Sequence, residues 1–214
     1  MKVLVIAAHP DDEILGVGAT ICKHIDSGDE VYVCIVTKAY EPEWTKEYME
    51  KKIDEQKKVD KLLKINKRFN LDMPTVKLNS IPHGEFNKKI IDVLDEVKPD
   101  IIYTHFEGDV NLDHTLIFNA VMVATRPTKK IRVLCFETLS ETEWGRKAFH
   151  PNFWVDITKF IEKKKKAFEI YKSEVKAYPH PRSTEGIEIL AKKRGIDICT
   201  KYAEAFILVK DFWC

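Results

Sequence analysis

"KVLVIAAHPDDEIL" (residues 2–15) passes from a continuous apolar run into one histidine and three consecutive carboxylates. An apolar run over 2–8 is the pattern of a strand covered on both faces. The groups that end it, His9, Asp11, Asp12 and Glu13, are expensive to desolvate unless something compensates them. Beyond them "ILGVGATICKHIDSG" (14–28) reads as a helix closed by Ser27 and Gly28, with Gly28 able to take a left-handed C-cap. Buried strand, polar turn, helix: this is the opening of a βαβ unit.

The rest of the chain repeats that alternation. "VYVCIVT" (31–37) is a second β-branched strand, and the charged segment 43–65 carries apolar residues near helical spacing. "TVKL" (75–78) reads as a short strand and 86–97 as a helix. "DIIYTH" (100–105) is a strand, and 113–126 a helix stopped by Pro127. A strand at 131–137, helices at 157–173 and 184–194, and a last strand at 204–209 complete the series. Such alternation predicts an α/β, Rossmann-like, mostly parallel sheet with helices on both faces. No Pro-, Gly- or Ser-rich linker divides residues 1–214, so one domain is expected. Sites in such sheets form beyond the carboxyl ends of strands. "HPDDE", "THFEGDVNLDH" and "FETLSETEW" (136–144) all occupy such ends.

Bulk properties narrow the function classes. The chain is 44% hydrophobic and 32% charged with a formal net charge of +1, which gives no electrostatic case for nucleic acid. The run Lys163 to Lys166 is read as a solvated helix face. No stretch approaches the ~18–20 apolar residues of a membrane span, and no signal-peptide pattern follows Met1. Five scattered cysteines (Cys22, Cys34, Cys135, Cys199, Cys214) lack CxxC spacing. Cys22, Cys34 and Cys135, which lie within apolar segments, suit buried thiols in a reducing, cytoplasmic compartment.

His9 and Asp12 are three residues apart on a turn entering a helix, where both can face one centre. One imidazole and one carboxylate make two-thirds of an open catalytic zinc site, and His114 is the best third ligand. The open position would hold a water whose pKa the metal lowers toward ~7. Fe2+ suits the same donors as Zn2+. Asp11, between the two ligands, would face that water as general base. Glu13 opens the helix and favours its dipole. The competing reading is a turn of solvated acids, with Asp113 as the N-cap of the helix carrying His114.

"AAHPDDEILGVGA" (7–19) resembles the N-terminal signature of the PIG-L (LmbE-like) zinc-dependent de-N-acetylases. "KPDIIYTHFEGDVNLDH" (98–114) is similar to the family's second motif, and "ATRP", "YPHPRS" (178–183) and "YAEAF" (202–206) extend the likeness. The resemblance implies hydrolysis of the N-acetyl group of N-acetylglucosamine-type sugars linked to inositol, malate, nucleotides or lipids. By position it implies His9, Asp12 and His114 as zinc ligands and Asp11 as base. It also implies a homo-oligomer. One departure stands out: the family's second histidine, three residues before the last ligand, is here Asn111. An amide donates a hydrogen bond to an oxyanion but shuttles no proton. His180 is therefore the candidate for the acid role.

For substrate contacts, Arg126 and Arg182 are candidates to bind an anionic aglycone bidentately. Trp44 and Trp144 are candidates to stack on a sugar face, and Glu137 and Glu143 to hold hydroxyls. The alternatives are an amidase for a bulkier amide, such as a thiol conjugate, and a non-catalytic sugar- or nucleotide-binding module. Against the latter, the first turn lacks GxGxxG spacing and carries three acids that repel phosphate.

Overall fold

The computed structural model describes residues 1–126 and 130–213. Its elements in chain order are β1 (Lys2–Ala7), α1 (Asp12–Asp26), β2 (Glu30–Lys38), α2 (Lys46–Leu63), β3 (Lys67–Pro74), a 3-10 turn (Leu78–Ser80), α3 (His83–Val97), β4 (Ile101–His105), α4 (Leu112–Ala124), β5 (Arg132–Phe136), β6 (Phe153–Asp156), α5 (Ile161–Ile170), α6 (Thr184–Ile196) and β7 (Ala203–Lys210). The strands form one sheet in the order β3-β2-β1-β4-β5-β7-β6. β1 to β5 run parallel, and β7 is antiparallel to both neighbours. The expected α/β architecture with a mostly parallel sheet is what the chain adopts.

Period-2 alternation within β1 feeds two cores. Val3, Val5 and Ala7 face the helices α1, α2, α5 and α6, while Leu4, Ile6 and Ala8 face α3 and α4. All six are fully buried, and each of the four larger ones, Val3, Leu4, Val5 and Ile6, is worth about 1.5–3 kcal/mol of burial. Gly16 lets α1 lie against the sheet, since a Cβ there would collide with the Phe136 ring. Connections leave β1 toward β2 on one face and return through α3 to β4 on the other. The gap between β1 and β4 is therefore the topological switch point, where ligands bind in open α/β sheets.

Several expectations need correction. The third strand is Lys67–Pro74, and 75–77 is a turn in which Val76 takes φ 52°. As an edge strand it is open on one side, so its apolar alternation (Phe69, Leu71, Met73) is interleaved with charged residues. β6, also at an edge, carried no periodic signal. The helix expected at 157–173 spans only Ile161–Ile170, and that at 113–126 ends at Ala124; Pro127 lies outside the described residues. Lys164 is not on a solvated face: only 4% exposed, it donates to Leu15 O and to Glu204. Cys22, Cys34 and Cys135 are buried thiols as expected, Cys199 is exposed, and Cys214 lies outside the described residues. Among the described residues no helix is long and apolar enough to cross a membrane.

Candidate active site

The turn leaving β1 carries His9 and Asp11 and runs into Asp12 at the start of α1, while the turn after β4 carries Asp109 and Asn111 and the first turn of α4 carries Asp113 and His114. Because β1 and β4 are neighbours in the sheet, side chains 105 residues apart meet. His9 Nδ1 lies 3.0 Å from Asp12 Oδ2 and 3.4 Å from His114 Nε2, which is itself 3.2 Å from the same Asp12 oxygen. A tetrahedral zinc with bonds of about 2.0–2.1 Å separates its donors by about 3.3 Å. The triangle is thus the size of three corners of such a shell.

The remote nitrogens support the same reading. His114 Nδ1 faces Asp109 Oδ2 at 2.9 Å and His9 Nε2 faces Asp113 Oδ2 at 3.3 Å. Each carboxylate accepts the N–H of its ring, leaving the other nitrogen's lone pair turned inward, as carboxylate–histidine–metal arrangements require. Burial works to lower both imidazole pKa values. Asp12, with Asp113 or Asp109, overrides it and raises His9 to about 10 and His114 to about 9. Asp12, despite its burial, is held well below the usual carboxylate range by the same two rings. Its second oxygen, Oδ1, is buried without a hydrogen-bond partner. A pocket that attracts positive charge and leaves a carboxylate oxygen orphaned fits a cation.

His105, Asp109 and His114 form a second cluster of ligand types, but its lone pairs are spent. His105 Nε2 accepts the Ala8 N–H at 2.8 Å, and burial followed by His114 pushes its pKa well down. Its neutral ring stacks on His114 with centroids 3.7 Å apart. His105 buttresses the site without joining the triangle.

Asp11 is 1% exposed and adopts φ 131°, a conformation costly for a residue with a Cβ. Its N–H is held by Glu13 Oε2 at 2.9 Å, and its carboxylate accepts Arg182 Nη1 at 3.1 Å. Burial pushes the Asp11 carboxyl well above its ordinary pKa, Arg182 opposes this, and Asp12 adds to it. Glu13 does far more than meet the helix dipole. Fully buried, it also accepts the Tyr171 hydroxyl at 2.7 Å and Arg68 at 3.1 Å. Beside this constellation opens a cavity of about 370 Å3, bordered by His9, Asp11, Asn111 and Arg182 and by Tyr48, Lys52 and Gln56 of α2.

Comparisons with known proteins place this arrangement. A family model described as PIG-L, GlcNAc-PI de-N-acetylase, matches residues 4–125, more than half of the chain and both motifs that build the triangle. The chain belongs to the PIG-L family. A diacetylchitobiose deacetylase of Thermococcus kodakarensis is 28% identical over 189 residues, covering 81% of this chain and 70% of that protein. Among solved structures, a conserved protein of Thermus thermophilus superimposes with a TM-score of 0.81 at 23% identity, over 99% of this chain and 96% of the other. The 4-carboxy-2-hydroxymuconate hydratase of Pseudomonas putida superimposes with a TM-score of 0.79 at 20% identity, over 100% and 98%. At these identities the superpositions establish the fold; a fold shared with a hydratase does not by itself choose the chemistry.

Within this PIG-L chain the other sequence-predicted residues fall in different places. Asn111 borders the cavity, and its side chain accepts the Asp113 N–H at 3.0 Å, so Asn111 and not Asp113 caps α4. Arg182 borders the cavity but is already engaged by Asp11, by Glu141 at 3.4 Å and by Glu174 at 3.6 Å. Arg126 is exposed just beyond α4. That helix of 13 residues carries it about 20 Å from the end bearing His114, away from the cavity. Trp144 is 57% exposed, and Glu143 accepts the Ser140 N–H at 2.7 Å; neither borders the cavity, whereas Trp44 does. Glu137 is consumed in a bidentate pair with Arg194, both contacts 2.7 Å. His180 sits outside the cavity lining, its Nδ1 accepting the Arg182 N–H at 3.1 Å.

Sequence reading missed His105, Asp109, Glu141, Glu174 and Lys52. Asp109 alone carried a usable signal, five residues before His114 on the same loop.

Proposed function

We propose that this chain is a metal-dependent hydrolase, its 214 residues acting as one domain, that removes the acetyl group from an N-acetylated sugar conjugate. The observation that carries the reading is the donor triangle of His9, Asp12 and His114 with the buried Asp11 carboxylate beside it at a cavity mouth. Membership in a family described as a de-N-acetylase, and 28% identity to a deacetylase of diacetylchitobiose, support the choice of substrate class.

His9 Nδ1, Asp12 Oδ2 and His114 Nε2 would hold the metal, and two imidazoles with one carboxylate suit Zn2+ or Fe2+ alike. A divalent cation bound there supplies Lewis acidity, polarising a carbonyl and bringing the pKa of water toward ~7. Asp11 takes one proton from the water that attacks the acetamide carbon. As the C–N bond breaks, Asp11 returns that proton to the departing nitrogen, giving acetic acid and an amine, which leave as acetate and the ammonium form once the acid's remaining proton passes to the amine. Burial makes it a stronger base than an ordinary carboxylate, the direction a group that accepts the water's proton needs. Arg182 holds the Asp11 carboxylate in place instead of binding an aglycone. Asn111, its side-chain oxygen committed to the α4 cap, keeps its NH2 for the carbonyl oxygen on which charge develops.

The test is acetate and free-amine release from a panel of N-acetylglucosamine conjugates, with thiol-conjugate amides as the bulkier comparison, using Zn2+-loaded and metal-stripped protein. Activity is expected with metal only, on the acetylated sugars. Asp11→Asn with metal still bound is expected to lose about 10²–10⁴ in kcat. Full activity after stripping, or a loss below about tenfold in that variant, overturns the proposal.

A further inference from the structure

Two charged side chains of the cavity wall have no part in the chemistry above. Lys52, on α2, is only 7% exposed, and Glu174, half-buried, lies just beyond α5. Both border the same cavity as Asp11 and Arg182. Around the single guanidinium of Arg182 stand the carboxylates of Asp11, Glu141 and Glu174. Two of these compete for one nitrogen. Arg182 Nη1 donates to Asp11 Oδ2 at 3.1 Å, while Glu174 Oε2 stands 3.6 Å from the same atom, too far for a hydrogen bond.

The other oxygen of Glu174 explains why it comes second. Oε1 takes the Lys52 ammonium at 2.6 Å, the Ser173 hydroxyl at 2.9 Å and the Tyr48 hydroxyl at 3.3 Å. Burial works to raise the Glu174 pKa, but Lys52 overrides it and lowers it, so the carboxylate is charged. Lys52 is itself fixed. Its Nζ lies 5.5 Å and 5.3 Å from the ring centres of Tyr48 and Tyr171 and 3.5 Å from Glu55, and both rings are within the reach of cation–π attraction. Were the Lys52 charge removed, Glu174 would draw the guanidinium with a charge equal to that of Asp11 from a similar distance.

We propose that Lys52 is a positioning residue: by neutralising Glu174 and drawing it toward α2, it keeps Arg182 on Asp11 and so holds the base in place. This rests on the deacetylase reading for the role of Asp11 alone; the pairing of Arg182 stands without it.

Crystal structures and steady-state kinetics of the Zn2+-loaded protein test the proposal, with N,N'-diacetylchitobiose as substrate. In Lys52→Met, Arg182 Nη1 is expected within hydrogen-bond distance of Glu174 and no longer of Asp11. The kcat for acetate release is expected to fall about 10- to 100-fold, the scale of a misplaced catalytic group. Adding Glu174→Gln removes the competing charge, so the double variant is expected to recover most of that loss and to return Arg182 to Asp11. A merely structural Lys52 predicts the reverse, a double variant no better than the single one. An unmoved Arg182 in Lys52→Met, or a double variant no more active than Lys52→Met, overturns the proposal. If Lys52→Met does not fold, Lys52→Gln, neutral but still polar, is read in the same way. If the unsubstituted protein releases no acetate, the deacetylase reading fails by itself, and the crystal structures still decide which carboxylate holds Arg182.

Discussion

Glu13 and Asp11 are joined by a hydrogen bond from the Asp11 N–H to Glu13 Oε2 at 2.9 Å, and this bond holds Asp11 at φ 131°. The same carboxylate receives Tyr171 and Arg68 from elements remote in sequence. The conformation that aims Asp11 at the cavity is therefore over-determined by tertiary contacts, as strained functional backbone must be.

Glu13→Ala removes three partners at once and leaves Arg68, largely buried, facing only Asp60. Breaking a buried ion pair costs about 3–5 kcal/mol. For a chain of this size each kcal/mol moves Tm by about 2–4 °C, so a fall on the order of 10 °C is expected in a thermal melt. Glu13→Gln, which keeps one acceptor oxygen, should fall less; equal losses would count against the role given to the charge.

Asp109 and Asp113 orient the two histidines from outside the triangle. Asp109→Asn and Asp113→Asn are each expected to weaken Zn2+ binding about 10- to 100-fold, read by competition with a chelator of known affinity. Unchanged Zn2+ affinity in both variants would show that the far nitrogens are not what set the rings.

In metal-free protein the pKa values of about 10 for His9 and about 9 for His114 lie above the ordinary 6.5. Groups raised on folding contribute stability that is complete below about pH 6.5 and is lost as pH climbs through about 9 to 10. Asp11, also raised, acts in the same sense. The urea midpoint of stripped protein should fall between about pH 6 and pH 10. Zn2+ binding near neutral pH should release a proton from each imidazole, visible as a dependence of the binding enthalpy on buffer. A midpoint that rises with pH refutes the assignment.

Lys164 and Glu204 form a second buried device, 2.6 Å apart, inserted beside α1: Glu204 accepts the Ala19 and Thr20 N–H groups while Lys164 donates to Leu15 O. Glu204→Ala strands a buried ammonium and is expected to cost about 3–5 kcal/mol, measured by urea denaturation. A loss under about 1 kcal/mol would place the pair among the weak, solvent-screened ones.

The central elements were legible because strands buried on both faces, β1, β2, β4 and β5, read as unbroken apolar runs. The edges were not: β3 alternates its apolar residues with Arg68, Asn70 and Asp72, and β6 is only four residues long, too short to carry a period. That His9, Asp12 and His114 would meet was legible because the loops that follow β1 and β4 leave buried strands where apolar sequence stops and ligand types begin. The engagement of Arg182 by Asp11, Glu141 and Glu174, and the burial of Lys164, left no local trace, since a charged side chain reads the same in sequence whether paired or free.

By itself the sequence determined the layered α/β architecture and which residue types stand at its strand ends, because periodicity and turn chemistry act over a few neighbouring positions. Tertiary structure decided which charges cancel. Arg182 became the clamp of Asp11, and Glu13 the brace of a strained turn. Each of those outcomes depends on distances of a few ångströms between segments far apart along the chain, and Coulomb and hydrogen-bond energies are set by those distances alone.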